Sequence, residues 1–479
     1  MNTDTVQVID DLRRELHELD KRRSQLKSRI DALVASQKDT PRPYVGSPAA
    51  GSTPHSPREK IDLFLSLFRC RADVYPHYWE NQKSGKQGYS PVCENEWKKN
   101  ICFKPKVSCS KCANQAFRPL DEHAVHDHLT GKSAIGSYAI DDNDSSVFLA
   151  ADFDKSTWKS DVLAYKRAAL EFDVQVSIEI SKSGNGAHAW IFFTSPIAAK
   201  QVRKLGDLIM SRAMERDATL SLESYDRFFP NQDLLPAGGF GNLIALPLQH
   251  TYRKDGHALF VTDDFIPIED QWEYLASIHR LDADDINAIT HEYLGESFTH
   301  FEHDEIESAQ LLLRQHMEPA ESYDGTVEIT KTSQLAIPLN QIPGKVVSRL
   351  KKMATIANPK FFEAQRMRFS TWNIPRYIFC GNNDETHIYL PRSLSNQVIE
   401  YLSESGFNVI AHDARNSNER LELTFTGSLL SHQKAAVDEL LKHDLGLLVA
   451  PTGTGKTVMA ISMLAERKCR TLILVHRST

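Results

Sequence analysis

Val147-Phe148-Leu149-Ala150-Ala151-Asp152-Phe153-Asp154 reads as a buried apolar strand that runs directly into two carboxylates one residue apart. Alternate residues of a strand point to the same face, so Asp152 and Asp154 can grip the same divalent ions. Further along comes Ser183-Gly184-Asn185-Gly186-Ala187-His188. Gly184 and Gly186 make a supple turn where backbone amides and Ser183 can approach phosphate oxygens closely, and His188 leaves that turn placed to bind a triphosphate. Hard oxygen ligands beside a glycine turn suit magnesium or manganese and a nucleoside triphosphate. The pairing predicts nucleotidyl transfer.

Working outward, the pattern predicts a helix over 159–172, a strand over 174–181, a strand over 187–193, a helix over 198–216 and a strand over 241–247. Strand, carboxylates, helix, hairpin and helix make a compact α+β layer with one sheet face available for substrate. Transfer to a growing 3′-hydroxyl uses a pair of metals, one lowering the hydroxyl's pKa and the other neutralising the leaving pyrophosphate. A third carboxylate is expected from a neighbouring strand. Asp226 is the first choice and Asp233 the second. A nuclease using the same metals is the rival within this chemistry, disfavoured by His188 and its glycine turn.

An Asp-x-Asp pair, a histidine turn and a later acidic residue resemble the archaeo-eukaryotic primase superfamily. Phe68-Arg69, Asp73-Val74-Tyr75, Trp79-Glu80, the cysteines described below, 150–154, Phe229-Pro230-Asn231-Gln232 and 241–247 together resemble one branch, the primase-polymerase of TOTE conflict systems, densely over 60–280. The resemblance implies metal-binding roles for Asp152, Asp154 and Asp226, a nucleotide-phosphate role for His188, and an RNA-recognition-motif-like core. It also implies fusion to a helicase and a single-stranded or primed DNA template as partner.

The cysteines fall as Cys93-x8-Cys102-x6-Cys109-x2-Cys112. Four thiolates satisfy tetrahedral zinc, and the closing Cys-x-x-Cys has the bite such a site needs, so a structural zinc module is expected. Lysines 83, 86, 98, 99, 104, 106 and 111 face only Glu94 and Glu96 there, and with Trp97 and Phe103 they suggest a grip on template backbone. His123, His126 and His128 read as surface residues and receive no role.

Ala450-Pro451-Thr452-Gly453-Thr454-Gly455-Lys456-Thr457 follows an apolar run over 445–449, expected as a strand, and precedes a helical pattern over 458–465. Strand, glycine loop and helix are the setting of an ATP-binding phosphate loop, with Lys456 on the phosphates and the Thr457 hydroxyl on magnesium. Thr452, Gly453 and Gly455 supply the loop. Ala450 stands where the strict pattern has glycine. With Leu430-Ser431-His432-Gln433 upstream and Thr471-Leu472-Ile473-Leu474-Val475-His476-Arg477 downstream, the stretch resembles superfamily-two helicases, which implies that Gln433 reads adenine. No acidic magnesium strand or arginine finger follows before Thr479, so ATP hydrolysis by this stretch alone is not expected. Residues 334–426 resemble the small α/β DNA-engaging domain that precedes some such motors.

Apolar residues from Ile9 to Leu33 keep a heptad spacing, with Arg23 alone breaking the seam. A coiled-coil helix over 1–36 is expected, pairing antiparallel with a second copy or with a partner helix. The organisation that follows is a disordered linker over 37–59, a zinc-containing primase-polymerase domain over 60–300, an acidic linker over 301–333, the small domain over 334–426 and the start of a helicase motor over 427–479. The chain has 479 residues, 41% hydrophobic, and a net charge of −7, so nucleic-acid binding must come from local patches. No apolar run suits a membrane span, and seven cysteines fit a reducing compartment, so a cytoplasmic protein is expected. A rival of another class is a DNA-binding adaptor that loads single strands for the motor without catalysis.

Overall fold

The computed structural model describes residues 53–154, 156–216, 228–294, 306, 309–310, 322–371, 374–415 and 420–474. The chain divides into two units, Met1–Thr53 and Pro54–Thr479. The expected coiled coil over 1–36 lies outside the described residues, as does most of the acidic stretch over 301–324. The expected linker ends before 59, because a helix begins at Pro57. Ser56 caps the helix Pro57–Phe68, accepting from the Glu59 amide while the Glu59 carboxylate accepts from the Ser56 amide.

The second unit is built on a six-stranded sheet. A hairpin of β1 (Pro76–Asn81) and β2 (Lys86–Pro91) precedes it. The sheet contains β3 (Ser145–Phe153), β4 (Ser177–Ile180), β5 (Ala187–Ala198), β6 (Phe228–Phe229), β7 (Phe260–Val261) and β8 (Arg280–Leu281). Its order is β6-β3-β5-β4-β7, with β8 parallel to β5 and the other pairings antiparallel. Two helices, α1 (Trp158–Leu170) and α2 (Ala199–Arg216), pack together against one face. The strand expected over 174–181 pairs only from Ser177 to Ile180.

Period two sorts the strands onto two cores. Leu149, Ala151 and Phe153 of β3 join Ile178, Ile180, Ala189, Ile191 and Phe193 beneath α1 and α2. Phe148 and Ala150 join Trp190, Phe192 and Phe260 on the opposite face, beneath the helix Pro57–Phe68. The unbroken apolar run 189–193 is therefore a strand buried on both faces. Phe68 meets Trp190 and Phe192 edge-on at 5.2 and 5.3 Å. Such pairs contribute about 0.5–1.5 kcal/mol beyond burial, which stiffens the floor under the end of β3.

A second, five-stranded sheet runs Asn382–Asn383, His387–Pro391, Gln334–Pro338, Gly325–Lys331, Phe407–Asp413, the last pair parallel. Gly325–Lys331 is thus a strand where an acidic linker is expected. Ala357, Phe361, Phe362 and Tyr377, from the excursion between Gly344–Met353 and His387–Pro391, are buried in the same apolar cluster as α1 and α2.

His128 corrects the surface expectation for the histidines. In the helix Glu122–Thr130 it is buried, its Nδ1 accepting from the Ile135 amide at 3.2 Å and its Nε2–H donating to the Pro247 carbonyl at 2.8 Å. A second ring proton would face an N–H donor in a dry site, and burial pushes the pKa down to about 4. Between pH 6.5 and 4 the unfolded chain takes up a proton that the folded chain refuses, so stability falls as pH falls through that window. The stability gap between the wild type and His128→Gln is expected to narrow by about 3 kcal/mol from pH 7 to pH 4, read by urea denaturation.

Candidate active site

Three adjacent strands place three polar side chains in one row. Cα register sets Asp152 of β3 opposite His188 of β5, and His188 opposite Glu179 of β4. By alternation the row continues the Phe148–Ala150 and Trp190–Phe192 face, so it lies at the end of a rigid aromatic floor. His188 Nδ1 bonds Glu179 Oε2 at 2.7 Å, and its Nε2 lies 3.8 Å from Asp152 Oδ1. Trp190 Nε1–H donates to the same Glu179 oxygen at 3.1 Å. Burial opposes charging of the imidazole, but Glu179 and Asp152 outweigh it and raise the His188 pKa above its ordinary value.

The sequence reading missed Glu179. Its signal was a lone acid in the apolar strand Ser177-Ile178-Glu179-Ile180, almost fully buried here. A buried carboxylate is costly unless bonded, and His188 with Trp190 supply the bonds. Asp152 keeps 30% side-chain exposure, and Asp154 follows the last residue of β3 and is exposed. They are the acids at this edge that can meet a solvated cation.

The turn Ser181–Gly186 joins β4 to β5. The Ser181 amide donates to the Gly186 carbonyl at 2.9 Å and the Gly184 amide to the Ser181 carbonyl at 3.0 Å. Ser183 Oγ lies 3.0 Å from Ser181 Oγ and accepts from the Asn185 amide at 3.3 Å. Gly184 has φ +74°, and a Cβ there would overlap the His257 ring. At Gly186 a Cβ would stand 2.6 Å from the Phe153 carbonyl oxygen, so glycine lets the turn close onto the end of β3.

Asp226, first choice for the third carboxylate, lies outside the described residues. Asp233, the second choice, is a structural anion. It is buried and held by Arg376 Nη2 at 3.3 Å, Arg203 Nε at 3.3 Å and Gln365 Nε2 at 3.0 Å. Burial alone would raise its pKa, but the two guanidiniums lower it.

Cys93, Cys102, Cys109 and Cys112 line one small cavity with Ile101, Phe103 and Phe117. The knuckle is a short 3-10 turn, Cys109–Lys111, with the Cys112 amide donating to the Cys109 carbonyl at 3.3 Å and Gln115 Nε2 to the same oxygen at 2.7 Å. Among the described residues no three histidine, cysteine, aspartate or glutamate side chains stand close enough to enclose a metal. The four thiols share one cavity, and soft thiolates are the donor type that zinc takes, but here they do not gather closely enough to enclose an ion. Lys104 is tied to Glu96 at 2.8 Å, whereas Trp97 and Phe103 are 69% and 51% exposed.

In the C-terminal stretch, Gly455 with φ +82° caps the helix Lys456–Arg467. Gln433, in Ser431–Leu440, donates from Nε2 to the Thr454 carbonyl at 2.8 Å and accepts from the Leu430 amide at 2.9 Å. Lys456 Nζ donates to the carbonyls of Ala450 and Pro451, both at 3.0 Å. Thr452, Gly453 and Thr457 lie in or next to this loop. The run over 445–449 is not a strand, and neither is 471–474, with Leu447 and Val449 exposed at 87% and 85%. Among the described residues nothing pairs with either run, and a parallel strand exists only as part of a ladder.

Residues 59–289 match the family model of the TOTE conflict system archaeo-eukaryotic primase domain. Residues 426–479 match that of the type III restriction enzyme res subunit. The chain thus carries a stretch that matches the TOTE archaeo-eukaryotic primase domain and, behind it, a stretch that matches a helicase family. No curated protein matches it. Among solved structures it is similar to the polymerase domain of Mycobacterium tuberculosis ligase D in complex with DNA, at 10% identity over 50% of this chain and 89% of that one, with a TM-score of 0.25. Among the described residues no helix is long and apolar enough to cross a membrane.

Proposed function

We propose that this chain is a template-dependent DNA primase-polymerase that joins nucleotides from nucleoside triphosphates with release of pyrophosphate, and that it works beside an ATP-dependent helicase. The observation that carries this reading is the row Asp152–His188–Glu179 at the end of the central sheet, next to the glycine turn. Asp152 and Asp154, with Asp226 as third ligand, would hold magnesium or manganese, which supplies activation of the 3′-hydroxyl and neutralisation of the leaving pyrophosphate. Glu179 holds the Nδ1 side of His188 and favours the charged imidazole, whose Nε2–H can then donate to a phosphate oxygen. Trp190 fixes Glu179 in turn. Ser183 and the amides of the glycine turn add neutral donors, and the aromatic floor keeps the row in register during transfer.

The test is extension of a primed DNA template with magnesium or manganese, comparing wild type with Asp152→Ala. Incorporation by the wild type alone supports transfer. Strand binding without incorporation by either protein supports a loading adaptor, and cleavage without triphosphates supports a nuclease.

Within the same proposal, Cys93, Cys102, Cys109 and Cys112 hold one structural zinc, and the exposed Trp97 and Phe103 with the neighbouring lysines bear on the template strand. Metal analysis of purified protein should find zinc bound stoichiometrically. A Cys109→Ser, Cys112→Ser variant should lose it and melt at a lower temperature, while zinc content equal to wild type would reject the site. Thr452, Gly453, Gly455, Lys456 and Thr457 would hold ATP and its magnesium, with Gln433 at the adenine. Self-association through residues 1–36 belongs to the same proposal.

A further inference from the structure

Lys182 has no role in the proposed transfer chemistry. It lies in the turn Ser181–Gly186, immediately before Ser183. Its Nζ stands 4.0 Å from the centroid of the Tyr78 ring and 4.7 Å from that of Tyr89, and it donates to the Tyr89 hydroxyl at 3.3 Å. Tyr78 and Tyr89 are a cross-strand pair of β1 and β2, their rings 5.5 Å apart. The negative faces of two rings thus fix an ammonium that a flexible lysine would otherwise wave in solvent. Gly186 of the same turn closes onto the Phe153 carbonyl and the Asp154 Cα, at 2.6 and 3.2 Å from where its Cβ would stand, which sets the turn carrying Lys182 beside the end of β3.

Among the described residues no carboxylate pairs with Lys182. Other lysines differ: Lys104 is bound to Glu96 at 2.8 Å and Lys166 to Asp263 at 2.6 Å. Burial pulls the Lys182 pKa down with no acid to oppose it. A half-buried ammonium held by two tyrosine rings and one hydroxyl, with no acid beside it, has its remaining N–H donors available to an anion. The nearby acids Asp152, Asp154 and Glu179 would repel a polyphosphate, so a fixed cation on the turn answers an electrostatic need that His188 alone meets only in part.

We propose that Lys182 is a phosphate-binding residue of this site, recognising the polyphosphate of the incoming nucleoside triphosphate, with Tyr78 and Tyr89 as its positioning residues. The proposal rests on the primase-polymerase reading. Phosphate chemistry is shared by the phosphodiesters of the template strand, so the experiment has an arm for each source.

The full chain, Lys182→Gln and Lys182→Arg are compared for binding of a fluorescent non-hydrolysable nucleoside triphosphate with magnesium, binding of a single-stranded oligonucleotide over a salt series, and melting temperature. Lys182→Gln is expected to weaken triphosphate binding by about tenfold with oligonucleotide affinity and melting unchanged, and Lys182→Arg to stay within about threefold of wild type. Wild-type triphosphate binding by Lys182→Gln overturns the proposal. So does a lowered melting temperature with equal loss of both ligands in both variants, which marks a structural lysine. A loss confined to the oligonucleotide, with its salt slope reduced by about one, assigns the residue to the strand and overturns the triphosphate assignment. Nucleotide incorporation is scored separately. A wild type that incorporates beside an unaffected Lys182→Gln removes only this proposal, whereas Lys182-dependent triphosphate binding without incorporation removes only the polymerase reading.

Discussion

Replacing Asp152 with alanine is expected to reduce nucleotide incorporation by roughly 10³-fold or more while DNA affinity stays within about threefold of wild type. The size follows from position. Asp152 is the carboxylate of the polar row that keeps contact with solvent, directly opposite His188 and two residues before Asp154. Removing it takes away a charge that nothing else on β3 replaces. Its removal does not orphan the histidine, because His188 keeps its 2.7 Å bond to Glu179. Folding should therefore survive, and the melting temperature is the control. Asp152→Asn, the same shape without the charge, should be equally inactive. Primer extension with magnesium and with manganese measures the first quantity and fluorescence anisotropy on a primed duplex the second. Incorporation within tenfold of wild type by either variant removes Asp152 from the chemistry.

The second large effect is on stability. Asp233→Ala is expected to cost about 3–5 kcal/mol, because it leaves two buried guanidiniums, Arg203 and Arg376, without their anion. Breaking one side of a buried ion network is far worse than never building it, since the remaining charges cannot return to water. The same change removes the acceptor of Gln365 Nε2, although the Asp233 amide keeps its bond to Gln365 Oε1 at 3.0 Å. Arg203 belongs to α2, while Gln365 and Arg376 come from the later segment that packs against α1 and α2, so Asp233 ties two distant stretches together. Urea denaturation gives the loss directly. The outcome that would reverse the assignment is an Asp233→Ala protein with wild-type stability and no incorporation, the behaviour of a metal ligand.

Several features were legible in the sequence because they depend on local rules. The strand into Asp152, both flanking helices and the hairpin to His188 follow from periodicity, and they stand within a few residues of their expected bounds: the helix over 159–172 is Trp158–Leu170, and that over 198–216 is Ala199–Arg216. The same alternation that put Asp152 and His188 at β positions also put them on one face, once β3 and β5 were paired. What the alternation could not supply was Glu179, because a lone acid in a strand reads equally well as a solvent-facing residue. Only the covering of the second face by the helix Pro57–Phe68 and its neighbours makes that carboxylate buried and turns it into the partner of His188.

Asp233 shows the opposite failure. Its neighbourhood suggested chemistry, and nothing nearby in sequence announces Arg203, Gln365 or Arg376. Burial of a charge is decided by long-range partners, and those are properties of packing. The run over 445–449 reads as a strand by composition, yet strand formation needs a neighbour to receive its amides and carbonyls, and none is present among the described residues. By itself, then, the sequence determined the elements around Asp152 and His188, the resemblance of 59–289 to one primase family, and the shared face of Asp152 and His188, because spacing sets which side chains share a face. Tertiary structure alone decided which charged groups are buried, which are paired and which, like Lys182, have no acid beside them, because desolvation and ion pairing depend on residues brought together from far along the chain.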